Sequence, residues 1–269
     1  ALIGGGRDPA VPAQVLGELV DANAIPPKIE AWQEFGRLAL RMEKPELARR
    51  MIDEVVKRFP DEPRVALLRA SQLQQAGQTA QALALLQGVE PKTRQDPELR
   101  NAVAIAYDSL GQPAAAERVL AVGPQNVQTW GMRASLLAKQ GDTAALSGLY
   151  NELSRQAAKP DPAQRLLLGK IAEYLKRYPE AVNWYHSVPG GDELSEARLR
   201  AANAQGLAGR QSLALDEVHA IQSDASVDDD VRRDAYLLEA ELRQRANDLP
   251  GELDALARGL AAYPDENAL

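Results

Sequence analysis

Cysteine is absent from the 269 residues. That excludes disulfides, cysteine zinc sites and thiol catalysis, and leaves either redox environment open. Histidine occurs only twice. Neither His186 nor His219 has a metal-type partner three or four residues further on, and Glu217 stands too near His219 in sequence to share its helix face. Both histidines are read as structural or surface residues. No run approaches the roughly 20 apolar residues of a membrane-spanning helix. Positive charge is not in excess: the net charge of −7 argues against a nucleic-acid surface. No phosphate-loop, dinucleotide, nucleophile-elbow or zinc-protease spacing occurs, and the glycines at 4–6 and 190–191 lack a strand–helix context. The acidic run Asp228 to Asp230 lacks the glycine and terminal glutamate of a calcium loop, and is read as the N-terminal cap of a helix beginning at Val231. These absences lead to a chain with no catalytic residues, no cofactor and no metal, and so to a protein that is not an enzyme. The chain does not begin with Met and shows no secretion signal, so it reads as a processed or engineered fragment with a mobile, glycine-rich start.

Aromatic residues make up only 4% of the chain, while 45% is hydrophobic and 26% charged. Ala, Leu, Arg, Glu and Gln dominate, all strong helix formers. A folded, all-α protein is expected. The residues recur. Glu30 to Pro60 carries Trp32, Gly36, Ala48 and Pro60. Residues 61–94 carry Ala66, Ala70, Leu73, Gly77, Ala82 and Leu86. Residues 95–124 carry Ala104, Tyr107, Gly111, Ala116 and Leu120. Ala48, Ala82 and Ala116 are 34 residues apart, as are Gly77 and Gly111. Gly77 sits where a turn between helices needs positive φ. The register loosens in residues 125–160, with Trp130, Ala134, Leu137 and Gly141. There Leu146 stands where alanine is expected, and should splay its helix pair. Residues 161–190 return to the pattern with Leu168, Gly169, Ala172, Tyr178, Ala181 and Tyr185. Residues 191–227 carry Ala202, Gly209, Ala214 and Val218. Residues 228–264 carry Tyr236, Ala240, Leu249, Leu256 and Pro264, with Glu252 in the alanine position. Before Glu30, an apolar run through Val15, Leu16, Leu19 and Val20 predicts an N-terminal capping helix. The final residues read as the start of another repeat.

This pattern resembles the tetratricopeptide repeat, two antiparallel helices joined by a turn. The resemblance implies a right-handed superhelical α-solenoid of about seven repeats, each stabilised by its neighbours. It also implies a protein-binding scaffold whose concave groove is lined by first helices. Carried onto this chain, the groove positions are Gln33, Arg37, Leu40, Arg41, Arg64, Leu67, Ser71, Gln74, Asn101, Ile105, Asp108, Leu166, Lys170, Tyr174, Leu199, Asn203, Leu207, Leu237, Glu241 and Arg245. Arg37, Arg41 and Arg64 are expected to cluster near the N-terminal end. Family members that clamp a peptide carboxylate use Lys and Asn where this chain has Gln33 and Arg37, so that clamp is not reproduced. Binding by the convex side or the helix edges is the alternative.

Tyr178 to Arg210 and Asp234 to Leu269 further resemble proteobacterial outer-membrane lipoproteins built of these repeats. These include periplasmic adaptors that assemble a carboxyl-terminal processing protease and deliver its substrates. The resemblance implies a non-enzymatic adaptor in the periplasm, associated with the outer membrane through a lipid anchor or a region outside this sequence. The alternative is the scaffold region of an exopolysaccharide synthesis or export protein.

Overall fold

The computed structural model describes residues 14, 15, 17–19, 28, 29, 31, 32, 34, 35, 38, 44–156 and 161–264. Leu16, Val20, Gly36 and the side chain of Ala48 lie outside the described residues. All regular structure among them is helical, and no described helix is long and apolar enough to cross a membrane. Two compact units divide the chain, Ala1–Pro124 and Gln125–Leu269.

The N-terminal unit contains α1 (Pro45–Arg58), α2 (Pro63–Gln75), α3 (Thr79–Val89), a 3₁₀ turn (Glu90–Gln95), α4 (Pro97–Ser109) and α5 (Pro113–Ala121). The C-terminal unit contains α6 (Val127–Gln140), α7 (Thr143–Gln156), α8 (Pro162–Tyr174), α9 (Tyr178–His186), α10 (Glu193–Leu207), α11 (Gln211–Ser223), α12 (Asp229–Arg245) and α13 (Leu249–Ala262). From α2 onward the helices form antiparallel pairs joined by short turns, the architecture of an α-solenoid.

Local chemistry sets the helix starts. Proline occupies the first or second position of α1, α2, α4, α5, α8, α9 and α13, where no intrahelical N–H bond is lost. Asp96, Asn126 and Asp248 accept bonds from Leu99, Thr129 and Gly251 backbone N–H groups. Asp161 and Gln164 form a reciprocal capping box. The acidic run behaves differently from the expected cap. α12 begins at Asp229, and Asp228 makes no side-chain cap bond. Asp229 and Asp230 lie in the first turn and pair with Arg232 and Arg233, where the helix dipole also favours them.

Each pair turns on one left-handed residue. Gly77, Gly111, Gly141 and Gly209 have φ of 73°, 71°, 71° and 76°, and Lys176 and Asn247 hold the same place at 58° and 57°. The residue after each donates back across the turn, as in Gln78 N to Leu73 O at 2.8 Å and Arg177 N to Ala172 O at 2.8 Å.

Counted from this residue, packing falls into register. Seven positions before it stand Ala70, Ala104, Ala134, Gly169, Ala202 and Ala240, all buried. Five positions after it stand Ala82, Ala116, Leu146, Ala181, Ala214 and Glu252. The four alanines there are fully buried and let neighbouring helices close. Leu146 is buried as well, and the backbones of α6 and α7 approach less closely than those of the other described pairs, as its bulk demands. In α13 the fully buried small residue is Ala255, and Glu252 is half-buried beside Gln244.

Arginines tie the ends of three second helices to the first helix of the pair. Arg100 is fully buried and donates to Val122 O at 2.9 Å and Pro124 O at 2.7 Å, beyond the end of α5. Arg165 reaches Ser187 O after α9, and Arg198 reaches Asp224 after α11. A cation at the carbonyl end of a helix satisfies open acceptors and complements the dipole.

Candidate functional site: a groove on the first helices

In the C-terminal unit the first helices α6, α8, α10 and α12 lie side by side. Ten positions before the turn residue, the successive repeats carry Leu67, Asn101, Gly131, Leu166, Leu199 and Leu237. The glycine leaves a dent where four of the other five repeats place a leucine. A cleft of about 410 Å³ opens there, lined by Val127, Gly131, Ala163, Leu166, Leu167, Lys170, Tyr174 and Glu193. A Cβ added to Gly131 would meet only Leu167 Cδ1, at 3.7 Å. The glycine therefore answers no close contact, and the space above it is open.

An ion network fixes one side of the cleft. Lys170 Nζ stands 2.8 Å from Glu196 Oε1, which also takes Arg200 Nε at 2.7 Å. Arg200 continues to Glu173 at 3.0 Å, and Glu173 accepts from the Tyr185 hydroxyl. Burial pushes the Glu196 carboxyl up, but hydrogen bonds from Lys170 and Arg200 outweigh it and hold the group below the ordinary range. Burial first, then Glu173, raise the Tyr185 hydroxyl well above the ordinary tyrosine value. These groups are committed to one another and to the fold. Glu193, one turn before Glu196 on α10, lines the cleft and makes no ion pair among the described residues.

The expected groove residues divide. Gln33, Arg37, Leu40 and Arg41 lie outside the described residues. Arg64 is exposed, but it pairs with Asp96 and Glu98, each at 3.3 Å, so its charge is already balanced. Leu67 is half-buried and Ser71 exposed. Gln74 bonds Ser109 O, and Asn101 is half-buried with its Oδ1 unpaired. Ile105 is 60% exposed. Leu166, Lys170 and Tyr174 converge on the cleft, Leu166 as its buried floor and Tyr174 on its rim. Leu199 packs against the core cluster of Ala202 and Val218, so it serves packing more than the groove. Asn203 accepts from Arg245, which also pairs with Glu241. Leu207 is exposed, and Asp108 and Leu237 are half-buried. Val127, Gly131, Ala163, Leu167 and Glu193 complete the cleft and escaped the sequence reading. Counting back from Gly141 reaches Gly131 and would have found it.

Two other hollows carry different chemistry. One of about 750 Å³ lies between α1 and α2 and mixes Ile52, Val56 and Leu68 with Glu46, Arg49, Asp53 and Arg69. Gln72 bridges it to Asp53 at 2.8 Å. The other surrounds Glu239, which is fully buried in α12 and meets His219 at 3.0 Å, Gln222 at 2.8 Å and Arg258 at 2.8 Å. Arg258 also holds Asp254, and Arg243 holds Asp248. Every cation there is spent on a carboxylate, so the cluster clasps α11, α12 and α13 together. His186 likewise meets Glu217 at 2.8 Å across successive second helices. Among the described residues no group of three His, Asp or Glu converges to hold a metal.

Comparison with known proteins agrees with this architecture. Residues 73–140 match the tetratricopeptide repeat family. A tetratricopeptide repeat protein from Parabacteroides merdae superposes with a TM-score of 0.57 at 11% identity, over 89% of this chain and 94% of that one. PilW, described as a widely conserved type IV pilus biogenesis factor, superposes with a TM-score of 0.50 at 15% identity, over 76% of this chain and 95% of its own. Both likenesses concern the fold. No curated protein matches the chain.

Proposed function

We propose that the chain is a non-catalytic scaffold that holds a segment of a partner protein along α6, α8 and α10. The observation that carries this reading is the apolar dent at Gly131, bordered by the exposed ring of Tyr174. A tetratricopeptide-repeat solenoid is suited to protein–protein interaction, and exposed apolar side chains rimmed by charge have the composition of a binding surface. Gly131→Leu supplies the residue that four of the other five repeats place there and fills the dent. Its stability should stay within about 1 kcal/mol of the parent, because the glycine meets no backbone and leucine favours a helix. Capture of the partner, measured by pulldown from the source cell's extract, should fall at least about tenfold. Undiminished capture by a fully folded variant would remove the cleft from the function.

The finer reading is an extracytoplasmic bacterial adaptor, lying in the periplasm near the outer membrane, that recruits a carboxyl-terminal processing protease and its substrates. The repeat pattern of Tyr178–Arg210 and Asp234–Leu269 supports it. Cross-linking in intact cells followed by mass spectrometry tests it. Recovery of a periplasmic protease supports the adaptor. Recovery of polysaccharide-modifying enzymes instead would favour an exopolysaccharide scaffold, and purely cytoplasmic partners would overturn both.

A further inference from the structure

We propose that α13 is a self-association surface, and that its exposed leucines pair antiparallel with those of a second copy of this chain. The proposal rests on the repeat register and not on the cleft at Gly131.

The outer side of α13 is apolar. Leu249, Leu253 and Leu260 are 60%, 58% and 49% exposed, and Leu256 is half-buried between them. At about 100° per residue the four leucines fall on one side of the helix. The exposed Pro250, Ala257 and Ala261 lie beside them. This sector spans roughly 140° and holds no charged residue. An apolar stripe of that width is the kind of face that a helix buries against another element.

The inner repeats show what covers such a face. Six and nine positions after the turn residue, α9 carries Val182 and Tyr185, which share a buried cluster with Ala197 and Ala201 of α10. There α11 carries Leu215 and Val218, packed with Ala235 and Leu238 of α12. Leu253 and Leu256 hold the same two positions in α13, and no described helix follows to cover them. The stacking interface therefore continues up to α13 and is open there.

Stacking does not account for the whole stripe. Two positions after the turn residue the other described repeats carry Thr79, Pro113, Thr143, Tyr178 and Gln211. Thirteen positions after it they carry Glu90, Pro124, Ser154, Pro189 and Gln222. Among the described repeats leucine stands at these places in α13 alone, as Leu249 and Leu260. The two leucines extend the stripe past both ends of the contact that a following repeat uses.

Their spacing selects the occupant. The steps from Leu249 to Leu253, Leu256 and Leu260 are four, three and four residues, a heptad seam that reads the same in either direction. Such a seam is complementary to itself, as a two-fold contact between identical chains requires. Laid antiparallel, Leu249 meets Leu260 of the second copy and Leu253 meets its Leu256. Glu252, which borders the seam, then falls beside Gly259 of the second copy, so no like charges meet. Antiparallel helix dipoles also attract, whereas parallel ones repel. A 14-residue helix is about 21 Å long, so the pair buries less than the roughly 800 Å² per partner of a standard interface. The dimer is therefore weak and reversible.

Sedimentation equilibrium of the full chain, from about 1 to 500 µM, should show monomer and dimer in exchange with a Kd of about 10–100 µM. Leu253→Glu combined with Leu260→Glu should weaken the dimer at least about tenfold. Both side chains are about half exposed, so the melting curve should stay with that of the parent. The chain has no cysteine, so introduced thiols report the direction of pairing. An oxidised mixture of Leu249→Cys and Leu260→Cys should form covalent dimer several-fold faster than either variant alone. These thiols decide the matter independently if the glutamates disturb the fold.

Monomer at every concentration would overturn the proposal and leave the face to a helix of another protein. A dimer undiminished by the two glutamates would place the contact elsewhere on the chain and overturn it as well. Faster cross-linking of either cysteine variant to itself than to the other would overturn the antiparallel pairing.

Discussion

The two units share one repeat register and use it differently. In Gln125–Leu269 a buried cluster runs unbroken from Trp130 to Ala204, through three repeats. In Ala1–Pro124 a cluster gathers Met51, Val55 and Val65 around Trp32, and the 3₁₀ turn Glu90–Gln95 separates the next two helix pairs. The small residues seven positions before the turn are alike in both. The large ones opposite them are not. Nine positions after the turn residue stand Leu86 and Leu120 in the first unit, and Tyr150, Tyr185, Val218 and Leu256 in the second, so tyrosine enters at two repeats of the second unit only. A tyrosine buries more area than a leucine and brings a hydroxyl that must find a partner. Tyr150 finds Glu180 and Trp184, and Tyr185 finds Glu173. In the first unit that task falls to Tyr107, a residue of the first helix, which bonds Glu90 and whose hydroxyl burial pushes up to about 12. The clefts differ in kind as well. The hollow beside α1 is bridged by Gln72, whereas the one at Gly131 exists because a side chain is missing. The alanine register thus sets the architecture, and its exceptions set where cores are continuous and where surface is open.

Gly169→Ala should break the comparison most strongly. Every other described repeat has alanine at this position, so the change looks conservative. A Cβ there would lie 2.2 Å from Cε1 of Tyr185, a ring only 2% exposed and anchored through its hydroxyl. The expected loss is about 2–3 kcal/mol by overpacking, read from urea unfolding of the full chain. The double change Gly169→Ala with Tyr185→Leu recreates the pairing of Ala104 with Leu120 and should recover much of that loss. Unchanged stability in the single variant would show that the continuous core yields more readily than its packing implies.

Acid should then act on the second unit. Burial pushes the Glu239 carboxyl up, and hydrogen bonds from His219, Gln222 and Arg258 outweigh it, leaving the group lowered in the folded state. A carboxyl lowered on folding contributes stability above its unfolded value of about 4.3, and loses it as pH falls through the folded value. Glu239→Gln should therefore cost about 1–2 kcal/mol at neutral pH. The gap to the parent should close below about pH 4. A gap that stays constant with pH would assign the loss to packing and not to charge.

Much of this fold can be read from residue types, because Gly77, Gly111, Ala82 and Ala116 each answer a single local demand that recurs every 34 residues. The arginine ties of Arg100, Arg165 and Arg198 were not legible. Each acts on a loop more than twenty residues away, and an arginine on a helix otherwise reads as solvated surface. The groove was legible only in part. Lys170 and Tyr174 stand at the cleft, but the opening depends on a missing side chain at Gly131, and absence gives no periodic signal. Arg64 shows the converse. Its place suggested a binding cation, while its charge is taken by Asp96 and Glu98 of the following repeat.

The turn residues give the smallest test and the most direct one. The first unit meets its left-handed positions with Gly77 and Gly111, and the second places Lys176 and Asn247 at two of its own. Asparagine tolerates that region through its short polar side chain, whereas lysine has no such relief and pays about 1 kcal/mol or more in steric strain. Glycine would remove the strain but adds freedom to the unfolded chain, an opposing effect of about 0.4–1 kcal/mol. Lys176→Gly should therefore stabilise by a few tenths to about 1 kcal/mol. Lys176→Asn should stabilise by a similar amount, with less entropy to oppose it. Lys176 is exposed and joins α8 to α9, so neither change disturbs a packed surface. The measurement is the shift in urea midpoint for both variants beside Gly111→Lys. That third variant imposes on the first unit the strain that the second already carries, and should destabilise by at least as much as Lys176→Gly gains. If Gly111→Lys proved harmless, the turn would be set by its 6→1 hydrogen bond and helix packing, and the contrast between glycine and lysine turns would carry no energy.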